Sequence, residues 1–199
     1  MTMRRREVVQ ALAAVPAALA FDFTSLDIER AARALAEFRK RGQQYQPKFF
    51  SAHEWETVRL LADVIIPADE RSGSATEAGV PEFMDIVMQD QAGRQTAMRG
   101  GLAWLDTECR ERFGKATFLA CTEAERRAVL DDIAWPAKAR PELSHGVAFF
   151  NSFRDLTASG FWSSKVGVED LRYMGNTAVP QWNGCSEEQL RKLGVRYAE

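Results

Sequence analysis

The sequence predicts an all-α fold: a small bundle of about six helices followed by a long irregular C-terminal extension. Three observations carry that expectation. Apolar residues recur at helical spacing in successive segments, and no alternating strand run of any length occurs. A Ser or Thr followed three residues later by Glu or Gln marks helix starts at Ser51, Thr122 and Ser186. Gly and Pro mostly stand between the periodic segments, where they end helices.

Residues 27–41 carry Ile28, Ala31, Leu35 and Phe38 on one face, and Gly42 stops this amphipathic helix. Gln43 to Lys48 is polar, contains a Pro and reads as a linker. Ser51-Ala52-His53-Glu54 is a capping box, with Phe50 and Trp55 placed as a hydrophobic staple. The helix it starts shows Trp55, Val58, Ala62 and Ile65 on one face and ends at Pro67. Asp69 to Gly79 reads as a loop. Pro81 opens a helix over residues 82–89, with Phe83, Ile86 and Val87 as its buried set.

A longer helix over 93–113 runs through Met98, Leu102, Leu105, Cys109 and Phe113 and ends at Gly114. Gly100-Gly101 lies inside it. Each Gly costs about 1 kcal/mol relative to Ala there, so the pair implies a kink or a close helix contact. Thr122-Glu123-Ala124-Glu125 caps a helix through Val129, Leu130 and Ile133 that ends before Pro136. Residues 145–159 carry Phe149, Phe150, Phe153 and Leu156, with Gly160 as the stop. No helical period is visible from Phe161 to Cys185. Ser186 caps a last short helix through Leu190 and Leu193.

The N-terminus has a different character. Arg4-Arg5-Arg6 precedes a weakly apolar, Ala-rich stretch ending in Ala18-Leu19-Ala20. A charged head, an apolar middle and an Ala-x-Ala end describe a signal peptide over residues 1–20. Arg5 and Arg6 make it the twin-arginine type, which exports folded proteins to the periplasm. Residues 21–46 then form the N-terminal helix and linker, and 47–199 the main helical domain. Loss of residues 1–20 removes three basic and one acidic residue and leaves a net charge of −4.

Composition excludes several classes of function. The chain has 199 residues, 46% hydrophobic and 27% charged, which is globular rather than disordered. No run of 18 apolar residues occurs, so no ordinary membrane span is present. A net charge of −2 gives no electrostatic case for nucleic acid. No dinucleotide-binding Gly pattern, P-loop or nucleophile elbow is found.

Two histidines and three cysteines leave little material for chemistry. His53 stands beside a helix cap and His145 near a helix start. Asp63 and Asp69 flank Ile65-Ile66-Pro67. A stand-alone enzyme would have to use His53, Asp63 and Asp69. Helix-end charges are the commoner reading of those carboxylates. Cys109, Cys121 and Cys185 are spaced too widely for an ordinary cluster or zinc ribbon. Cys109 ends one helix and Cys121 precedes the next, so a tight turn could bring them within disulfide range. Two buried, inert thiols are the alternative.

Aromatics crowd the last third. Phe149, Phe150 and Phe153 read as core. Trp162, Tyr173 and Trp182, in sequence without helical period, read as anchors for a partner.

Two blocks carry a family resemblance. The first is Leu60-Leu61-Ala62-Asp63-Val64-Ile65-Ile66-Pro67-Ala68-Asp69 followed by Gly79-Val80-Pro81-Glu82-Phe83. The second is Gly160-Phe161-Trp162-Ser163-Ser164-Lys165-Val166-Gly167, then Asp170-Leu171-Arg172-Tyr173-Met174-Gly175-Asn176, continued by Pro180-Gln181-Trp182-Asn183-Gly184-Cys185. Together they resemble the gluconate 2-dehydrogenase subunit 3 family.

The resemblance implies a small subunit with no catalytic residues and no cofactor or metal of its own. It implies a large flavoprotein partner of the glucose–methanol–choline type that carries FAD, with an iron–sulfur cluster there as an option. A cytochrome c subunit carrying haem c would take the electrons. The small subunit would stabilise the flavoprotein as a chaperone, escort it through twin-arginine export and meet the membrane only through the complex. Cys185 matches a cysteine that bonds the large subunit in some members. A periplasmic helical interaction protein unrelated to dehydrogenases is the other non-enzymatic reading.

Overall fold

The computed structural model describes residues 24–40, 42, 45–173, 175, 181 and 184–197. Among them are nine α-helices, two short 3-10 turns and no strand. In chain order the helices are α1 (Ser25–Lys40), α2 (Ala52–Ile65), α3 (Ala75–Ala78), α4 (Val80–Asp90), α5 (Ala92–Phe113), α6 (Glu123–Ala134), α7 (Ser144–Trp162), α8 (Lys165–Asp170) and α9 (Glu187–Leu193). None of the described helices is long and apolar enough to cross a membrane. The expected signal peptide, with Arg5 and Arg6, lies outside the described residues.

α7 is the centre. It packs against α1 to α6 and carries α8 on its C-terminal end. Phe149, Phe150, Phe153, Leu156 and Phe161 are all buried on it. Burying each such side chain contributes about 1.5–3 kcal/mol.

The predicted caps form. Ser51 and Glu54, and Thr122 and Glu125, close reciprocal capping boxes at the starts of α2 and α6. A further box, Ser74 with Glu77, starts α3 within the stretch expected to be a loop. That single turn is docked onto α2: the Ala75 amide donates to the Ile66 carbonyl at 2.9 Å, and the Thr76 amide donates to Asp63 Oδ1 at 2.7 Å.

The C-terminal third differs from expectation in one respect. α7 does not stop at Gly160. It runs on to Trp162, and α8 follows after two residues. Gly160 is a contact rather than a stop: a Cβ there would lie 2.7 Å from the Phe83 ring on α4. Nor is the region after Phe161 wholly irregular, because Ser164 caps α8 by accepting from the Gly167 amide at 3.1 Å.

The Gly100-Gly101 pair resolves into two unlike residues. Gly101 is buried, and a Cβ on it would come within 1.9 Å of the Phe149 ring; Gly100 faces open space. Gly146 on α7 answers from the other side, where a Cβ would come within 2.5 Å of the Trp104 ring. α5 and α7 therefore approach closely by exchanging an aromatic for a glycine twice.

Gly101→Ala is expected to destabilise the chain by about 1–3 kcal/mol through overpacking. Gly100→Ala is expected to be neutral or to stabilise it by up to about 1 kcal/mol, since only helix propensity changes. Chemical denaturation of the two variants measures the contrast; equal effects would refute the close approach.

Candidate functional site

Three residues were the candidates for independent chemistry, and the structure separates them. His53 sits at the start of α2 and Asp63 ten residues later, about 15 Å along the helix axis. His53 Nε2 lies 2.7 Å from Asp106 Oδ2, whose other oxygen accepts the Phe118 amide at 2.8 Å. The pair ties the start of α2 to α5 and the turn beyond it. Asp63 accepts the Thr76 amide in the first turn of α3, a position that favours negative charge. Asp69 accepts the amides of Arg71 and Ser72 at 2.8 and 2.9 Å. The Ser72 and then the Arg71 amide hold its carboxyl below the usual range. Each of the three thus has a local structural partner, and they do not converge. His145 is exposed on the edge of the shallow α5–α7 groove that also holds Trp104 and Phe149. Among the described residues no group of three His, Cys, Asp or Glu could hold a metal ion.

The carboxylate that matters most to the architecture is Asp85, which nothing in the sequence reading singled out. It is fully buried on α4. Its Oδ1 accepts the amides of Phe49 and Phe50, both at 3.0 Å. Its Oδ2 accepts the Tyr45 hydroxyl at 2.8 Å, the Lys48 amide at 3.0 Å and Gln89 Nε2 at 2.8 Å. Burial, and next the bond to Asp85, push the Tyr45 hydroxyl pKa well above its ordinary value. From Tyr45 onward the stretch expected to be a linker is therefore fixed to the core. The available sequence signal was an acidic residue inside the apolar run Phe83 to Met88.

The partner anchors fall into two groups. Trp162 ends α7 and is 40% exposed, with its ring edge-on to buried Phe161 at 4.9 Å. Its helical setting corrects the expectation of irregular backbone there. Leu171 and Tyr173 follow α8 and are each 57% exposed. α8 lies directly on the end of α7, since a Cβ on Gly167 would be 2.2 Å from the Phe161 carbonyl oxygen. The Tyr173 amide donates to the Val168 carbonyl at 3.1 Å, and Arg71 reaches both the Asp170 carbonyl and its carboxylate. Trp162, Leu171 and Tyr173 are thus exposed apolar groups on a braced corner. Cys185 is partly exposed, and its amide donates to the Tyr197 hydroxyl at 2.7 Å. Trp182 lies outside the described residues. Cys109 and Cys121 are buried free thiols, and burial, then the neighbouring Cys121, raises the Cys109 thiol pKa above its ordinary value.

What the described residues define is a rigid all-helical scaffold with an exposed aromatic corner. Residues 52–181 match the family model for gluconate 2-dehydrogenase subunit 3, and the chain belongs to that family. The match opens at the first residue of α2 and leaves α1 and α9 outside it. No curated protein and no solved structure matches the chain.

Asp85→Asn keeps the shape but turns an acceptor into a donor facing two or more donors. It is expected to cost about 2–4 kcal/mol. Thermal unfolding should show a drop of about 5–15 °C. A change below about 2 °C would contradict the role given to Asp85.

Proposed function

We infer that this chain is the non-catalytic small subunit of a periplasmic, FAD-dependent sugar or glycoside dehydrogenase. It binds and stabilises a glucose–methanol–choline type flavoprotein and escorts it through twin-arginine export. The observation that carries the reading is the family match, which spans the scaffold from α2 through the exposed corner. The flavin in the partner would abstract the hydride; this chain supplies shape and binding surface.

Three features agree with that division of labour. His53, Asp63 and Asp69 each serve a local structural contact. Trp162 and Tyr173 expose large, stiff aromatic surface, the kind that anchors interfaces. Arg5 and Arg6 precede an Ala-rich stretch that ends in a peptidase-like Ala-x-Ala. Cys185, partly exposed, is the proposed bonding partner for a cysteine of the large subunit. A cytochrome c subunit as electron acceptor belongs to the same reading.

Trp162→Ala and Tyr173→Ala should each lower recovery of the flavoprotein with the tagged chain by tenfold or more, while the free subunit keeps its unfolding midpoint within about 3 °C. Changing Arg5 and Arg6 to Lys should hold both subunits in the cytoplasm. Unchanged recovery in both aromatic variants would refute the interface. Normal periplasmic levels of the double Lys variant would refute the export role.

A further inference from the structure

α8 ends in a left-handed turn closed by two backbone bonds. The Arg172 amide donates to the Glu169 carbonyl at 3.0 Å, and the Tyr173 amide donates to the Val168 carbonyl at 3.1 Å. This pattern puts the residue after the cap in the left-handed region, which Gly adopts without crowding. Here that residue is Arg172, at φ +53°. Among the described residues every other positive φ belongs to a glycine. A side chain in that region crowds the following carbonyl oxygen, a cost that Gly would remove.

The turn does not need that side chain. Arg172 is exposed, and its guanidinium has no hydrogen-bonding or ionic partner among the described residues. The carboxylates beside it are already engaged: Asp170 pairs with Arg71 at 2.9 Å, and Glu169 with Lys165 at 3.7 Å. Arg172 is therefore the unbalanced charge of this turn. Leu171 and Tyr173, its chain neighbours, are each 57% exposed, and Trp162 stands exposed at the end of α7. A strained backbone is evidence of use when the surrounding structure holds it in place. Arg, Trp and Tyr together on one exposed corner are the residue types that dominate binding hot spots.

We propose that Arg172 is the charged anchor of this corner and receives a carboxylate of the large flavoprotein subunit. This role rests on the small-subunit reading and deepens it, because it states what the facing surface holds: an Asp or Glu side chain set among apolar residues that cover Trp162 and Leu171. A guanidinium meets a carboxylate through two parallel N–H···O bonds, so the pair fixes orientation as well as charge. Apolar side chains around it exclude water, and a partner without the acid would leave the charge buried and unpaired. The two backbone bonds of the turn already hold Arg172 in place, so little main-chain freedom is lost on binding.

The test expresses two versions of the full chain together in the native host, the wild type with one tag and a variant with another, and compares the flavoprotein recovered on each. Arg172→Gly keeps the turn and removes the side chain. It should carry about tenfold less flavoprotein than the wild type. The unfolding midpoint of the free subunit should meanwhile rise by about 1–4 °C, because Gly suits the left-handed position. Arg172→Gln should lose as much flavoprotein as Arg172→Gly. Arg172→Lys, which keeps the charge without the fork, should lose less. Binding and stability thus move in opposite directions, which a merely structural Arg would not produce. Equal recovery on wild type and Arg172→Gly, with Trp162→Ala still losing its share, would overturn the anchor and leave the small-subunit reading standing. A fall in the midpoint of free Arg172→Gly would also overturn it, since the side chain would then serve the fold. Absence of flavoprotein from both tags would remove the small-subunit reading, and the anchor with it.

Discussion

Asp85 accepts five hydrogen bonds from groups that span residues 45 to 89, and the arrangement of the first four helices depends on it. A carboxylate buried without a cation is tolerable only when its lone pairs are filled, and here both oxygens are shared among donors. The amides of Lys48, Phe49 and Phe50 arrive just before the cap of α2 and fix where that helix starts. The Tyr45 ring, held by the same carboxylate, stands between Phe38 of α1 and Trp55 of α2 at 5.1 and 6.0 Å. One side chain on α4 therefore sets the approach of α1, the course of the connecting segment and the origin of α2. Arg99 of α5 completes the seam: it donates to the Phe49 carbonyl at 2.6 Å and lies 4.6 Å from that ring's centre.

The second constraint is steric. α7 lies in the middle and must be reached closely by α5 on one side and α4 on another. Gly101, Gly146 and Gly160 provide that closeness, each giving its Cβ volume to an aromatic ring of the facing helix. The result is a body whose core is a continuous cluster of buried apolar side chains around α7. Among its exposed large apolar groups are those at the far end of α7 and just after α8. A subunit that acts by binding needs this combination, since a rigid surface loses little side-chain and loop freedom when a partner covers it.

Much of this was legible in the sequence wherever the signal was local. The boxes at Ser51 and Thr122, the stop at Gly114 and the Phe149–Phe153 core are all readable from spacing and side-chain chemistry. The misses have a common cause. Gly160 looks like a terminator until Phe83, far away in sequence, is known to lie against it. Ser74 to Glu77 carried its capping box openly, yet a single helical turn has no apolar period to announce it. Asp85 was hidden because its partners are mostly backbone amides about 35 residues away, and amides leave no mark in a sequence. The partners of His53, Asp63 and Asp69 were hidden for the same reason: Asp106 and the amides of Thr76 and Ser72 come beside them only in the fold.

The central claim is that the chain works as the bound, non-catalytic member of a flavoprotein complex. Its most direct test is affinity purification of the tagged chain from its native host, with a visible absorption spectrum of the eluate. A second band near 60 kDa with flavin absorption that bleaches on adding a sugar is the result this account requires. A colourless eluate holding only the 22 kDa chain would contradict it.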